Sequence, residues 1–177
     1  MAPTSHEAEL AAIRGLIGRG RFEEAYIRCV PLGKGGWTAA QLYLGWMYQS
    51  GKGVQRDLDE AEGWYQRAVH SDPQRAEFYL ASVYMEKHDF QQALEWFERS
   101  ASRGYAAATY QLGRIYRFGV GVGVDRQRGF EYIEQAAQKG HLFARRDIAR
   151  EMLRGHRGLS RIPSGLFVAR ECGLECL

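Results

Sequence analysis

Four sets of residues have types and spacings that could do chemistry: a glycine run, the histidines, adjacent carboxylates and two late cysteines. Gly119-Val120-Gly121-Val122-Gly123 resembles a loop whose backbone amides cradle phosphate, but such a loop needs a strand before it and a helix after it. Here the run follows a helical segment and matches Gly51-Lys52-Gly53, so it reads as a turn between helices. His6, His70, His88, His141 and His156 make no pair with another His, Cys or Glu at a metal-ligand or protease spacing. No Gly-x-Ser-x-Gly nucleophile elbow occurs. Glu23-Glu24 and Asp59-Glu60 fall on helix surfaces and read as solvated faces. Cys172 and Cys176, four apart, would share one helix face, which suits half a metal site or a redox pair. Neither has a His or Cys companion nearby, and Cys172 holds a small-residue packing position. No catalytic residue, cofactor site or metal site is assigned, and the chain is not expected to be an enzyme.

The elements that would position any functional residue come from internal self-similarity. One unit reads Ala40-Gln-Leu-Tyr-Leu-Gly45-Trp-Met-Tyr48, then Gly51 and Gly53, then Asp57, Ala61, Trp64 and Ala68. The same landmarks recur 68 residues later as Ala108, Gly113, Tyr116, Gly119, Gly121, Asp125, Gly129, Tyr132 and Ala136. Between them lies a shorter copy, with Ala76, Ala81 and Tyr84, then Ala93, Trp96 and Ser100. Its four missing residues fall in the turn Glu86-Lys87-His88-Asp89, a loop deletion that spares both helices. Small residues at Gly45, Ala81, Gly113, Ala61 and Ala93 let helix axes approach, and Tyr48, Trp64, Trp96 and Tyr116 fill the space beside them. Gly51 and Gly119 end first helices, Gly104 and Gly140 end second ones, and Asp57 and Asp125 suit N-caps.

Degenerate copies flank this core. Ala144, Ala149, Met152 and Gly155 repeat Ala108, Gly113, Tyr116 and Gly119 at a spacing of 36, and Gly165, Val168 and Cys172 continue that register. Pro163 suits a first helical turn. Ala8, Ile13, Leu16 and Ala25 fit the short copy. Helices are expected near 6–18, 21–31, 37–50, 57–70, 73–87, 90–103, 106–118, 125–139, 142–154 and 163–173, with Gly33-Lys34-Gly35-Gly36 a hinge-like break. The chain is read as a single repeat domain: a degenerate pair at 6–31, core repeats at 37–70, 73–103 and 106–140, and a capping repeat at 142–173.

The rest of the composition agrees. A chain of 177 residues, 45% hydrophobic and 25% charged, is a soluble folded protein in make-up, and its net charge of +3 does not point to nucleic acid. The first residues show no basic segment leading into an apolar core, and no apolar run approaches the length of a membrane span, so no membrane insertion is expected. Three scattered cysteines make no disulfide framework, and a reducing, cytoplasmic setting is expected.

The motif Leu-Gly-x-x-Tyr-x-x-Gly-x-Gly-Val followed by Ala-x-x-Trp-x-x-x-Ala resembles the Sel-one-like repeat, a relative of the tetratricopeptide repeat, over 37–140. The resemblance implies an all-α fold, a right-handed α/α superhelical solenoid of about five antiparallel helix pairs. It also implies an adaptor or scaffold whose first helices line a concave groove, in assembly, signalling or envelope-related processes. Secreted relatives with regular cysteine pairs carry proposed cell-wall activity, and this chain lacks those pairs. In that geometry the exposed concave positions include Trp46, Phe78 and Tyr110, then Arg114, Arg117, Arg146, Arg150 and Arg154. Aromatic and arginine side chains anchor interfaces, and arginine forks match carboxylates. The expected partner is a protein or peptide with acidic and apolar groups. From Lys139 to Arg161, seven basic residues face only Asp147 and Glu151, which makes nucleic acid a rival partner; no nucleic-acid motif accompanies the charge.

Overall fold

The computed structural model describes residues 5–153. The helix expected at 163–173, with Cys172 and Cys176, and the concave candidate Arg154 lie outside the described residues. Within them the fold is all helical: α1 Ser5–Gly18, α2 Phe22–Lys34, α3 Thr38–Ser50, α4 Leu58–Ala68, α5 Pro73–Glu86, α6 Phe90–Ser102, α7 Ala106–Phe118, α8 Arg126–Gln138 and α9 Leu142–Leu153. Extensive packing joins helices adjacent in sequence within α1–α6 and within α7–α9. Two compact units result, Met1–Arg103 and Gly104–Leu177. Among the described residues no helix is long and apolar enough to cross a membrane.

Local chemistry places the helix ends. Asp57 Oδ1 accepts from the backbone N–H of Asp59 and Glu60, and Asp125 accepts from Arg128 N–H. Asp72 and Asp89 cap α5 and α6 in the same way, through Arg75 N–H and Gln92 N–H. Each such cap satisfies backbone donors that the first turn leaves without an internal partner. Gly51 and Gly119 close α3 and α7 at φ +68° and +71°, a region costly for a residue with a Cβ.

One boundary differs from expectation. The helix expected to stop at 31 runs through Pro31 to Lys34, and the break comes at Gly35-Gly36. Proline removes one donor, but its own carbonyl still accepts from Gly35 N–H at 3.0 Å. Burial of Leu32 and Gly33 against the core favours carrying the turn onward, so packing overrides the local cost.

The small landmarks sit where helices touch. A Cβ on Gly45 would lie 2.5 Å from the Tyr65 ring, and one on Gly113 would lie 2.7 Å from Ile133 and 2.8 Å from the Gly129 carbonyl. Each first helix therefore pulls its second helix against one side. In the first unit the core then runs from Ile13 and Leu16 through Cys29, Leu44 and Met47 to Tyr65 and Leu80; in the second it centres on Ile133, Ala136 and Ile148.

In the four repeats from α3 onward a polar residue follows the first small landmark, and each is bonded near the end of a second helix. Gln41 donates to Gly33 O at 3.3 Å and Arg145 to Ala137 O at 3.3 Å. Thr109 accepts from Lys139 at 3.2 Å. Glu77, fully buried, receives Arg103 at 3.0 Å and Arg99 at 3.5 Å. A buried carboxylate without such partners would be strongly destabilising, so these arginines are structural.

Candidate functional site

With second helices packed on one side, the opposite side of the first helices is left to carry function. In the first unit it forms an open cavity of about 360 Å³, lined by Ile17 of α1, Ala39, Leu42, Tyr43 and Trp46 of α3, and Arg75 and Tyr79 of α5. Tyr65 of α4 backs this surface. Its ring stacks on Tyr79 with centroids 5.1 Å apart, and its hydroxyl donates to Gln49 Oε1 at 3.0 Å. Burial pushes the Tyr65 phenol far up, so it stays a neutral donor. Trp46 also meets Phe22 edge to face at 6.0 Å, and the Lys52 ammonium lies 5.1 Å from the Trp46 ring and 5.0 Å from Phe22. Burial likewise pushes the Tyr43 phenol up, against an opposing pull from Arg14 and Arg75.

The wall towards the end of α3 is polar and held. Gln49 donates to Glu86 at 2.7 Å and Ser82 at 3.3 Å, and Arg56 pairs with Glu86 at 2.5 Å. This network fixes α3 beside α5 in the first unit.

The seven concave candidates among the described residues fall in different places. Trp46 lines the cavity. Phe78 packs on Phe97 of α6 at 5.7 Å, while its neighbour Tyr79 faces the cavity instead. Tyr110 is engaged inside the second unit: its hydroxyl donates to Asp147 at 2.8 Å and its ring stacks on His141 at 4.5 Å. Arg117 is paired with Glu151. Arg146 lies 3.7 Å from Asp147, with its guanidinium 4.9 Å from the Phe143 ring. Arg114 is exposed and donates to Gln111 at 3.3 Å; Arg150 is exposed. Thus α7 and α9 are tied along Tyr110–Asp147 and Arg117–Glu151.

Sequence reasoning missed Ile17, Tyr43 and Tyr79. The signal for Ile17 was present, since it stands four after Ile13 as Gln49 stands four after Gly45. The tyrosines hold the position two before the landmark, which lies on the side of a first helix facing the preceding one.

Among the described residues the one cysteine is closed off. Cys29 is buried, donates to Ala40 O at 3.4 Å, and burial pushes its thiol up to about 12, so no thiolate is available at neutral pH. Among the described residues no group of three His, Cys, Asp or Glu side chains is placed to hold a metal.

Comparison with known proteins agrees with this architecture. The Sel1 repeat matches at residues 38–73, 74–105 and 106–141. An uncharacterised protein of Neisseria meningitidis is 30% identical over 125 residues, covering 70% of this chain and 26% of that protein. Chitin synthase regulatory factor 3 of Schizosaccharomyces pombe is 28% identical over 135 residues, 72% of this chain and 14% of its own length. The chain thus spans about a quarter or less of these two relatives. A Sel1 repeat protein from Oxalobacter formigenes superposes with a TM-score of 0.63 at 30% identity, covering 75% of this chain and 56% of that one. A protective antigen of uropathogenic Escherichia coli, with the same repeat fold, also gives 0.63, at 22% identity over 75% of this chain and 30% of its own. Repeats matched in succession across 38–141 cover more than half of the 177 residues, and the chain belongs to the Sel1 repeat family.

Proposed function

We propose that this chain is a binding module that seats a segment of a partner protein on the first-helix face of its first unit. Repeats of this family generally mediate protein–protein interaction, and the fold is typically a non-catalytic scaffold. The observation that carries the reading is the open cavity in which the half-buried rings of Tyr43, Trp46 and Tyr79 gather over buried Leu42. Rigid aromatic rings offer large contact area at little entropic cost, which is how interface anchors work. The role of adaptor, linking a partner to a further component, is the form of this function that a repeat module serves.

Capture of the native partner by wild-type chain, identified by mass spectrometry, supplies the test. Replacing Trp46 and Tyr79 together by Ala should lose the partner by roughly 2 kcal/mol or more, the scale of an interface hot spot. Undiminished capture by that variant overturns the site.

A second reading places an anionic partner, nucleic acid included, on the second unit. It is favoured by Arg114, Arg146 and Arg150, all exposed on α7 and α9. Against it, Arg117 is already neutralised by Glu151, and Asp147 lies beside Arg146. Arg114→Glu with Arg150→Glu separates the two: it should leave capture intact if the first unit binds and abolish it if the second does.

A further inference from the structure

We propose that the cavity of the first unit selects acidic–apolar peptide segments, seating a bulky apolar side chain between Trp46 and Tyr79 while Arg14 and Arg75 hold an adjacent carboxylate. The inference rests on the binding reading above and adds the chemistry of the partner.

Charge decides the sign. Among the described residues that line the cavity, Arg75 is the charged one. Asp72 takes its Nε at 2.5 Å, yet the side chain keeps half its exposure, and a guanidinium carries five donors in a fixed fork. Arg14 stands on α1 one turn before Ile17, exposed, in the place after Ile13 that Trp46 takes after Gly45. Arg14 and Arg75 are both near enough to act on the Tyr43 phenol, a lining group. Lys52 adds a further cation, its ammonium 5.1 Å from the ring of the lining residue Trp46.

Of the nearby carboxylates Asp72 holds only the Nε of Arg75, leaving the outer donors of that fork toward the cavity, and the others are engaged elsewhere. Glu9 is bound to Arg28 at 2.7 Å, and Glu86 is held by Arg56 and Gln49. An apolar, cation-edged cavity favours a ligand with the complementary layout, and it disfavours a basic one because lysine or arginine would meet like charge as it desolvates. A side chain rather than a base fits the lining: Ile17, Ala39 and Leu42 are aliphatic, and two arginines do not make a stripe that tracks a phosphate backbone.

The test is selection from a random-peptide phage library on the full chain, followed by synthesis of an enriched peptide and titration by tryptophan fluorescence. Enriched sequences should carry Asp or Glu next to Leu, Ile, Phe or Trp. Arg14→Gln with Arg75→Gln should weaken the synthetic peptide roughly tenfold or more, as should Trp46→Ala, while circular dichroism melts stay close to wild type. Enrichment of peptides lacking acidic residues, bound through Trp46 but indifferent to the arginine pair, overturns the charge inference and leaves the cavity as the site. Peptides indifferent to Trp46→Ala as well overturn both. Displacement of the peptide by oligothymidylate at lower concentration than by unlabelled peptide overturns the inference in favour of nucleic acid.

Discussion

Single atoms separate the glycines of this chain into two kinds. Gly113 has no room: a Cβ would press on Ile133 and on the Gly129 carbonyl, which is backbone and cannot swing away. Gly63 lies inside α4 with nothing within 4 Å of the same added atom. Gly113→Ala should therefore cost about 1–3 kcal/mol, and Gly113→Leu more, because the helices must part. Gly63→Ala should stabilise by about 0.5–1 kcal/mol, since a helix interior favours alanine over glycine. Denaturant unfolding of the three variants checks both signs. These roles differ in legibility. Gly113 was readable because it recurs with Gly45 at a fixed spacing. Gly63 sits in no repeated position and says nothing until its surroundings are seen. The same limit applied to the arginines: that Arg117 belongs to Glu151 depends on which face of α9 meets α7, which spacing within one helix does not determine.

Helices carry the next level, and α9 shows how one can depend on a titrating group. His141 Nδ1 accepts from Ala144 N–H at 3.3 Å at the start of α9, and the ring stacks on Tyr110. A ring nitrogen accepts only while it lacks a proton. Burial lowers the His141 pKa below its ordinary 6.5, with Asp147 pulling the other way. The unfolded chain then binds the proton before the folded one does, so stability is fully present above the ordinary value and falls as pH drops below it. The melting temperature should be lower at pH 5 than at pH 7.5, and His141→Asn, which caps without titrating, should shrink that difference. An unchanged difference in the variant assigns the pH response to other groups. The elements themselves were legible because capping aspartates and terminal glycines act locally. Gly33 misled because a glycine-rich stretch read as a break met a core that rewards continuing the helix through Leu32 and Gly33. Phe78 and Tyr79 show the corresponding limit for the site: adjacent residues point about 100° apart on a helix, so a small error in the assumed facing swaps one for the other.

Among the described residues, every extensively packed pair of helices is a pair of neighbours in sequence within one unit. Stability in such an array is a sum of repeat and nearest-neighbour terms. A destabilising change should then be felt locally. In Gly113→Leu, amide exchange should accelerate through α7, α8 and α9 of the second unit, while α3 and α4 keep most of their protection. Uniform acceleration from α1 to α9 would show a single cooperative block instead. Low sequence separation between partners also favours fast folding, which stopped-flow refolding can measure.

The bonded polar position of each repeat bears on how such a chain can be lengthened. Glu77 finds Arg103, and Thr109 finds Lys139, inside the same repeat, whereas Gln41 and Arg145 reach back to the helix before them. A gene segment encoding 73–103 or 106–140, copied in tandem, carries both halves of its own latch. A copy beginning at α3 would leave Gln41 dependent on whatever sequence precedes it. The second and third repeats are therefore the portable cassettes of this chain, and insertion or shuffling should be tolerated at their borders sooner than at the border before α3.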